Sequence, residues 1–215
     1  MLFTEMKYKE FKNKIQKYPI FSSSQLAILT DNEQVLRNQL AAWRSQGLLL
    51  RLKKGLYVLN KEDRKINPSR PFIANQLLSP SYISTEYALS LYGLIPERVE
   101  DVTSVTTKKT TTFRNDFGTF HYQHINIHCF AGYKETKDEN GYPFFIAEPE
   151  KAIVDFLYLN LSDFSGAHPD IFRESYRFQN LPDLDRQKIK MFAEVFSNKR
   201  FLNIVHSFCE FMKLE

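Results

Sequence analysis

An amphipathic helix followed at once by a short basic hairpin constrains the fold of this chain more than any other feature. Leu36, Leu40 and Trp43 recur at helical spacing and predict one apolar face on a helix over residues 32–46. Asp31 comes directly before this segment, and its carboxylate can accept hydrogen bonds from the first free amides of the helix. Because the apolar face must pack inward, the opposite face of the helix is predicted to be polar and exposed.

The segment after the helix predicts two strands joined by a tight turn. Gly47 suits the left-handed C-cap that ends a helix. Leu48, Leu50 and Leu52 alternate with Leu49, Arg51 and Lys53, which predicts a strand with the first three on one face. Residues 56–59 predict the return strand, and Gly55 can adopt the positive φ that a tight hairpin demands.

Two helices are predicted before this pair of elements. The first spans residues 3–17, with Phe3, Met6, Phe11 and Ile15 as its apolar stripe. A shorter one covers residues 25–29, and serines at positions 22 to 24 can cap it. Helix, short helix, longer helix and basic hairpin in this order are typical of a winged helix-turn-helix, which places its second helix in the major groove of DNA.

The residues expected to bind DNA lie on the polar helix face and around the hairpin. Arg, Asn and Gln form bidentate hydrogen bonds with base edges, so we assign base readout to Arg37 and Asn38. Arg44, Arg51, Lys53 and Lys54 are expected to contact phosphates. The full set of expected DNA-binding residues is Ser23, Gln34, Arg37, Asn38, Arg44, Arg51, Lys53, Lys54, Gly55 and Tyr57. The alternative interpretation is a solvated helix face and an exposed turn.

Charge is divided unevenly along the chain. The net charge of +4 combines a basic segment, 1–70, with 14 Lys and Arg against 6 Asp and Glu, and an acidic one, 71–215, with 15 against 19. The two nets are +8 and −4. A concentrated positive charge attracts the phosphate backbone and releases counterions, which favours the first segment as the DNA-binding part. A protein partner is the expectation for the second.

A change of composition predicts the boundary between two domains. Residues 61–65 are all charged, and residues 67–71 contain two prolines, so this stretch is predicted to be a linker. We therefore expect an α+β protein with an N-terminal winged helix-turn-helix, residues 1–66, followed by a mixed α/β C-terminal domain, residues 72–215. Predicted helices of the second domain cover 72–78, 84–92, 148–159, 171–178, 184–196 and 200–212, and predicted strands cover 101–107, 110–113, 119–130 and 142–147.

Composition also bears on location and cofactors. No window approaches about 18 consecutive apolar residues, and no signal-peptide pattern opens the chain, so we expect a cytoplasmic protein without a membrane partner. Cys129 and Cys209 form no Cys-x-x-Cys pair and are predicted to be buried thiols. No cofactor is expected.

Two groups of residues invite an enzymatic interpretation. His121, His124 and His128 lie close in sequence, but on a strand residues four apart are about 13 Å from each other, so no shared metal is expected. Carboxylates at positions 148, 150 and 155 with Lys151 resemble a nuclease cluster. The start of a helix and an i,i+4 pair explain them equally well, and Asp155 can instead satisfy buried donors. We therefore expect neither an enzyme nor a metal site.

Three segments together resemble the AbiEi family of antitoxins and transcriptional regulators, which belong to type IV toxin-antitoxin systems. The first, 47–57, is similar to the family's wing. The others are 82–96, which contains Tyr82-Ile83-Ser84-Thr85-Glu86-Tyr87-Ala88-Leu89, and 147–155, which is Ala147-Glu148-Pro149-Glu150-Lys151-Ala152-Ile153-Val154-Asp155. The resemblance implies a winged helix that binds operator repeats of double-stranded DNA in its own promoter, and a C-terminal domain that counteracts a nucleotidyltransferase-like toxin.

The expected function is therefore that of a DNA-binding antitoxin that represses its own operon. The alternative is a stand-alone transcriptional regulator, or a protein-interaction module without a toxin partner. A nuclease that docks through the winged helix is the least favoured interpretation.

Overall fold

A computed structural model describes residues 6–26, 32–164 and 170–214. The fold is mixed α+β, as the sequence predicts, with one three-stranded and one six-stranded sheet in the described part of the chain. No helix among the described residues is both long enough and apolar enough to cross a bilayer.

The described residues among the first 60 form three helices and a small antiparallel sheet of order β1-β3-β2. In chain order the elements are α1 (Tyr8–Ile15), β1 (Phe21–Ser22), α2 (Ser23–Leu26), α3 (Glu33–Ser45), β2 (Leu49–Lys53) and β3 (Leu56–Leu59). Asn32 caps α3, because its Oδ1 accepts hydrogen bonds from the amides of Gln34 at 3.0 Å and Val35 at 3.2 Å. The predicted cap Asp31 lies outside the described residues, as do Phe3 and the end of the predicted helix 25–29.

The predicted apolar faces of α1 and α3 form one small core. Leu36, Leu40 and Trp43 are buried, as the spacing predicts, and the Trp43 ring packs 4.6 Å from that of Phe11, centroid to centroid. Ile15 is buried in the same cluster. Burial of each such side chain contributes about 1.5–3 kcal/mol relative to leaving it in water.

The alternation predicted for β2 does not divide the strand into one buried and one exposed face. The fully buried leucines are Leu49 and Leu52, whereas Leu50 is half-buried. Leu49 belongs to the small core and Leu52 to the large core, so the strand is covered on both faces. Simple alternation therefore cannot predict which leucines are buried along this strand.

Both faces of the small sheet are covered. Leu49 and Leu59 are opposite each other and belong to the small core with α1 and α3. Leu52, Leu56 and Val58 belong to the large core of the second half of the chain. The sheet therefore packs against both cores.

The second half is built on a mixed sheet of order β6-β7-β5-β4-β9-β8. Pairs β5·β7 and β4·β9 are parallel and the other three pairs are antiparallel. The strands are β4 (Ser81–Ile83), β5 (Val102–Thr106), β6 (Thr111–Asn115), β7 (Gly118–His124), β8 (Tyr133–Lys137) and β9 (Pro143–Ala147). The helices are α4 (Arg70–Leu77), α5 (Thr85–Leu91), α6 (Pro149–Leu159), α7 (Asp170–Glu174), α8 (Arg186–Glu194) and α9 (Lys199–Phe211), with 3-10 turns at Ile127–Cys129 and Leu181–Asp183.

Three predictions for this half need correction. The strand predicted over 119–130 ends at His124, since Asn126 accepts from the His128 amide and starts the 3-10 turn. Strands β4 and β8 were not predicted, because a three-residue strand and a strand with two lysines give little periodic signal. Helix α4 begins at Arg70, inside the predicted linker, and the Ser69 hydroxyl caps it.

The predicted linker is attached to both halves of the chain. Asp63 accepts hydrogen bonds of 2.7 Å from the Tyr8 hydroxyl and from the Lys12 ammonium on α1. At its other end Ser69 donates to Asp138 at 2.6 Å, and the Arg70 guanidinium donates to the Phe117 carbonyl at 2.7 Å. These contacts order the segment between the two cores.

Candidate nucleic-acid interface

The solvent face of α3 carries the side chains expected to read bases. Gln34, Arg37 and Asn38 are all exposed, because the helix turns its three apolar residues into the small core. The Gln34 amide donates to Asn38 Oδ1 at 3.0 Å, and the Arg37 guanidinium pairs with Glu33 at 2.8 Å. Both pairs join residues one helical turn apart, so the face holds its long side chains in order without burying them.

Three expected phosphate contacts are also exposed. Arg44 lies at the end of α3, Arg51 lies on β2, and Lys54 lies in the turn between β2 and β3. Exposed cations attract phosphate over a distance of about 8–10 Å at physiological salt. These residues and the polar face of α3 therefore belong to the same 22-residue stretch, 33–54, of the basic segment.

Lys53 is not the free tip lysine that the sequence predicts. Its ammonium donates to the carbonyl of Leu77, the last residue of α4, at 2.6 Å. Burial lowers the pKa of Lys53, and the nearby charge of Lys108 lowers it further. The register shift in β2 directs this side chain toward the second half of the chain, so Lys53 does not contribute to a phosphate-binding surface in this conformation.

Gly55 and Ser23, two of the expected DNA-binding residues, are hydrogen-bonded to each other at the hairpin. Gly55 adopts a φ of +81°, as predicted for the turn, and its carbonyl accepts from the Ser23 amide at 2.9 Å. A Cβ at position 55 would lie 3.2 Å from the Ser23 hydroxyl oxygen. The start of α2 is thereby fixed against the turn of the hairpin.

Tyr57 also has a packing role that the sequence did not predict. Its half-buried ring stacks on Phe21 with centroids 6.0 Å apart, opposite Arg51 on the neighbouring strand.

Lys108, which was not among the predicted DNA-binding residues, lies close enough to Lys53 to lower its pKa. Its signal was the pair Lys108-Lys109, which repeats in a second turn the pattern of Lys53-Lys54.

A buried polar network lies in the second half, far from solvent. Lys151 and Asp155, one turn apart on α6, form an ion pair in which both side chains are at most 1% exposed. Asp155 also accepts from the hydroxyls of Tyr82 at 2.9 Å and Ser84 at 2.8 Å. Burial raises the pKa of the Tyr82 hydroxyl well above its usual range, and the Asp155 carboxylate raises it further. Both carboxylate oxygens of Asp155 are thus paired, so the residue has both of the roles considered for it, the i,i+4 pair with Lys151 and the acceptor of buried donors.

This network joins two of the three segments that resemble the family. Ser84 precedes α5 as predicted, but its hydroxyl donates to Asp155 and caps nothing. The Tyr92 hydroxyl donates to the Ala147 carbonyl at 2.8 Å. The similar residues at 82–96 and 147–155 therefore stabilise each other across the fold.

The remaining acidic residues of the suspected nuclease cluster have other partners. Glu148 and Glu150 both pair with Lys188 of α8, and Glu150 also accepts from the Asp185 amide at 3.3 Å. Neither carboxylate joins Asp155, which faces the interior of the fold.

The histidines are likewise separate. His121 lies 3.3 Å from Asp101, and His124 contacts the Lys108 carbonyl at 3.0 Å. Across the residues that the structure describes, no three His, Cys, Asp or Glu side chains are grouped as metal ligands.

Comparison with known proteins adds no assignment. The chain matches no protein-family profile and no curated protein.

Proposed function

We propose that this chain is a sequence-specific DNA-binding protein whose N-terminal elements form a winged helix-turn-helix. The observation that carries the proposal is the exposed face of α3, with Gln34, Arg37 and Asn38 ordered in pairs and the apolar residues buried behind them. In this arrangement α3 enters the major groove and the β2–β3 hairpin lies against the DNA backbone.

The order of elements supports this assignment. The order α1-β1-α2-α3-β2-β3, with β3 in the middle of the small sheet, matches the arrangement expected of a winged helix. Among the described elements α3 follows α2, which is the order of the two helices of a helix-turn-helix. The predicted domains 1–66 and 72–215 remain part of the proposal, as two units that share a packed sheet.

The energetics of the α3 face also support base readout. The Glu33–Arg37 pair is exposed, so its contribution is about 0.3–0.5 kcal/mol. A bidentate contact between Arg and guanine contributes about 1–3 kcal/mol of discrimination against the wrong base. Release of Arg37 from Glu33 therefore costs less than an Arg–guanine contact contributes to discrimination between bases, and the Gln34–Asn38 pair is exposed in the same way.

The finer function follows from the family resemblance. We infer that the protein represses its own operon by binding operator repeats and that its second half counteracts a nucleotidyltransferase-like toxin in the cytoplasm. The net charge of −4 on residues 71–215 is consistent with a protein partner for that half. A stand-alone regulator or an interaction module without a toxin is the alternative, and we assign no catalytic role.

A gel-shift titration of the full chain tests the DNA-binding proposal. The probes are its own upstream region and unrelated DNA of equal length, each at 50 mM and 200 mM salt. We expect binding to both at low salt and a preference for the upstream region that persists at high salt, because base contacts are less salt-dependent than phosphate contacts. Equal affinity for both probes at both salt concentrations would contradict sequence-specific recognition.

Co-expression tests the antitoxin proposal separately. The full chain is expressed with the nucleotidyltransferase-like protein encoded beside it, and growth is measured with and without Arg37→Ala. Because Arg37 lies on the proposed DNA face, the substitution should leave growth protection intact while it relieves repression. Growth arrest that the unsubstituted chain does not relieve would reject the antitoxin assignment and favour a stand-alone regulator.

A further inference from the structure

The turn between β5 and β6 brings two more lysines to the side of the hairpin. Lys108 and Lys109 are both exposed. Hydrogen bonds fix the turn: the Lys108 amide donates to Thr106 Oγ1 at 3.1 Å, and the His124 amide donates to Thr110 Oγ1 at 3.2 Å. The Lys108 carbonyl accepts from His124 Nδ1 at 3.0 Å. The backbone is therefore ordered while both ammonium groups extend into solvent.

Contacts between the two halves bring this turn near the hairpin. Lys53 of β2 donates to the carbonyl of Leu77 at the end of α4 at 2.6 Å, and three residues later the Pro80 carbonyl accepts a hydrogen bond of 2.7 Å from Thr106 Oγ1, two residues before Lys108. The end of α4 therefore lies between Lys53 and the turn, and the nearby charge of Lys108 lowers the pKa of Lys53. Positive charge thus accumulates where the hairpin meets the second half.

We propose that Lys108 and Lys109 contact the DNA backbone beside the hairpin, so that the DNA-binding surface includes a turn of the otherwise acidic second half. The proposal deepens the proposed function and rests on it. Lys54 is the exposed lysine of the hairpin turn, and Lys108 and Lys109 are the exposed lysines of the turn beside it. Phosphate oxygens are the ligand whose negative charge relieves the repulsion between neighbouring ammonium groups.

The role of this turn differs from that of α3. Lysine at a phosphate acts as a point charge and does not read the sequence. The turn should therefore add affinity equally to operator and unrelated DNA, whereas discrimination stays with α3. The partner is a DNA backbone, and an acidic protein surface is the outcome that the experiment must separate from it.

The test compares two double variants of the full chain on the upstream DNA. Lys108→Ala with Lys109→Ala removes the turn's charge. Lys134→Ala with Lys137→Ala is the matched control, because both lysines are exposed on β8 at the opposite edge of the same sheet. The two variants change the net charge of the protein equally, so a difference between them reports position alone.

The logarithm of DNA affinity falls linearly with the logarithm of the salt concentration, and each lost phosphate contact makes this slope about 0.9 less steep. For two lost contacts, the ratio of the parent's affinity to that of the turn variant should fall about tenfold between 50 mM and 200 mM salt. The control should keep the parent's slope. The double substitution to arginine at 108 and 109 keeps the charge and should restore the slope, which separates charge from a folding defect.

The outcomes distinguish a role of Lys108 and Lys109 from the proposed sequence-specific DNA binding. If the parent fails to bind its upstream DNA preferentially, the proposed function fails. If the parent binds but the turn variant keeps the parent's slope and affinity, only the role of Lys108 and Lys109 fails. A turn variant with normal DNA binding that no longer relieves the toxin's growth arrest would assign the turn to an acidic protein surface and would overturn the DNA contact.

Discussion

Two ion pairs with the same spacing on two helices lie in opposite environments. On α3 the side chains of Glu33 and Arg37 are 68% and 67% exposed, whereas on α6 those of Lys151 and Asp155 are 1% and 0% exposed. The exposed pair is weak and can exchange partners, as recognition of a base requires. The buried pair is tied into the core by two hydroxyl groups, so it can serve only the fold. Burial, and not spacing, decides which of the two roles an i,i+4 pair has.

The largest expected effect comes from breaking the buried pair. Asp155→Ala leaves the Lys151 ammonium without its partner in the core and removes the acceptor of two hydroxyls. Loss of one partner of a buried ion pair typically costs about 3–5 kcal/mol, and we expect that loss in the free energy of unfolding measured with urea. Lys151→Met combined with Asp155→Leu removes both charges and should recover part of it. A loss below 1 kcal/mol for Asp155→Ala would mean that the pair behaves like a surface pair.

The second prediction concerns the exposed pair and recognition. Arg37→Ala should weaken operator binding by about 1–3 kcal/mol and reduce discrimination, while the free energy of unfolding stays within about 0.5 kcal/mol. Arg98→Ala is the matched control, since Arg98 is 91% exposed and also lies near a glutamate, Glu100. Gel-shift titration on operator and unrelated DNA measures both. Equal losses on the two DNAs would assign Arg37 to phosphate contact.

Asp63 provides an intermediate case between these two. Its pKa is lowered by hydrogen bonds from Lys12 and Tyr8, and the pair with Lys12 is partly exposed. Because the folded pKa lies below the unfolded one, this contribution to stability is present above the unfolded pKa and is lost as pH falls through the folded pKa. Asp63→Asn should therefore cost at most about 1 kcal/mol at pH 7 and progressively less in acid.

Urea unfolding of the parent and Asp63→Asn between pH 7 and pH 3 measures this difference. Asp116→Asn is the control, since Asp116 is exposed in the turn between β6 and β7. A deficit for Asp63→Asn that stays constant with pH would show that charge has no part in attaching α1 to the segment between the cores.

The smallest expected effect is that of Glu33→Gln. An exposed i,i+4 pair contributes about 0.3–0.5 kcal/mol, so the free energy of unfolding should change by no more than that. The substitution also removes a negative charge from the proposed DNA face, so operator affinity should be equal or higher. A tenfold loss of affinity would show that Glu33 orders Arg37 for binding, and would weaken the contrast between the two pairs.

Sequence periodicity predicted the elements whose burial is one-sided. The core face of α3, the turn at Gly55 and the start of α6 at Glu148-Pro149-Glu150 all followed from spacing and capping rules. The same rules predicted Lys151 and Asp155 as an i,i+4 pair and gave Asp155 a second possible role, as an acceptor for buried donors. Helix α6 is buried all round over residues 150–157, and only contacts distant in sequence determine that.

The misplaced side chains of the hairpin have one physical cause. The sequence indicates a free tip with Lys53 and Lys54, but the shift in register between β2 and β3 turns Lys53 toward α4. An inserted residue in one strand depends on how the partner strand pairs, which a single strand's pattern does not encode. Lys108 was not predicted to lie near the hairpin for a similar reason, because its proximity to Lys53 arises from tertiary packing.

The small sheet covered on both faces has a consequence for genetic dissection. A fragment that ends at residue 66 would present Leu52, Leu56 and Val58 to water, and an apolar strand surface of this kind favours aggregation. The complementary fragment, 72–215, would lose the cover of its own core. Neither fragment would report the activity of the corresponding half of the intact protein. The proposed repression and the proposed neutralisation are therefore best tested separately by single substitutions on the whole chain, with solubility checked for each variant.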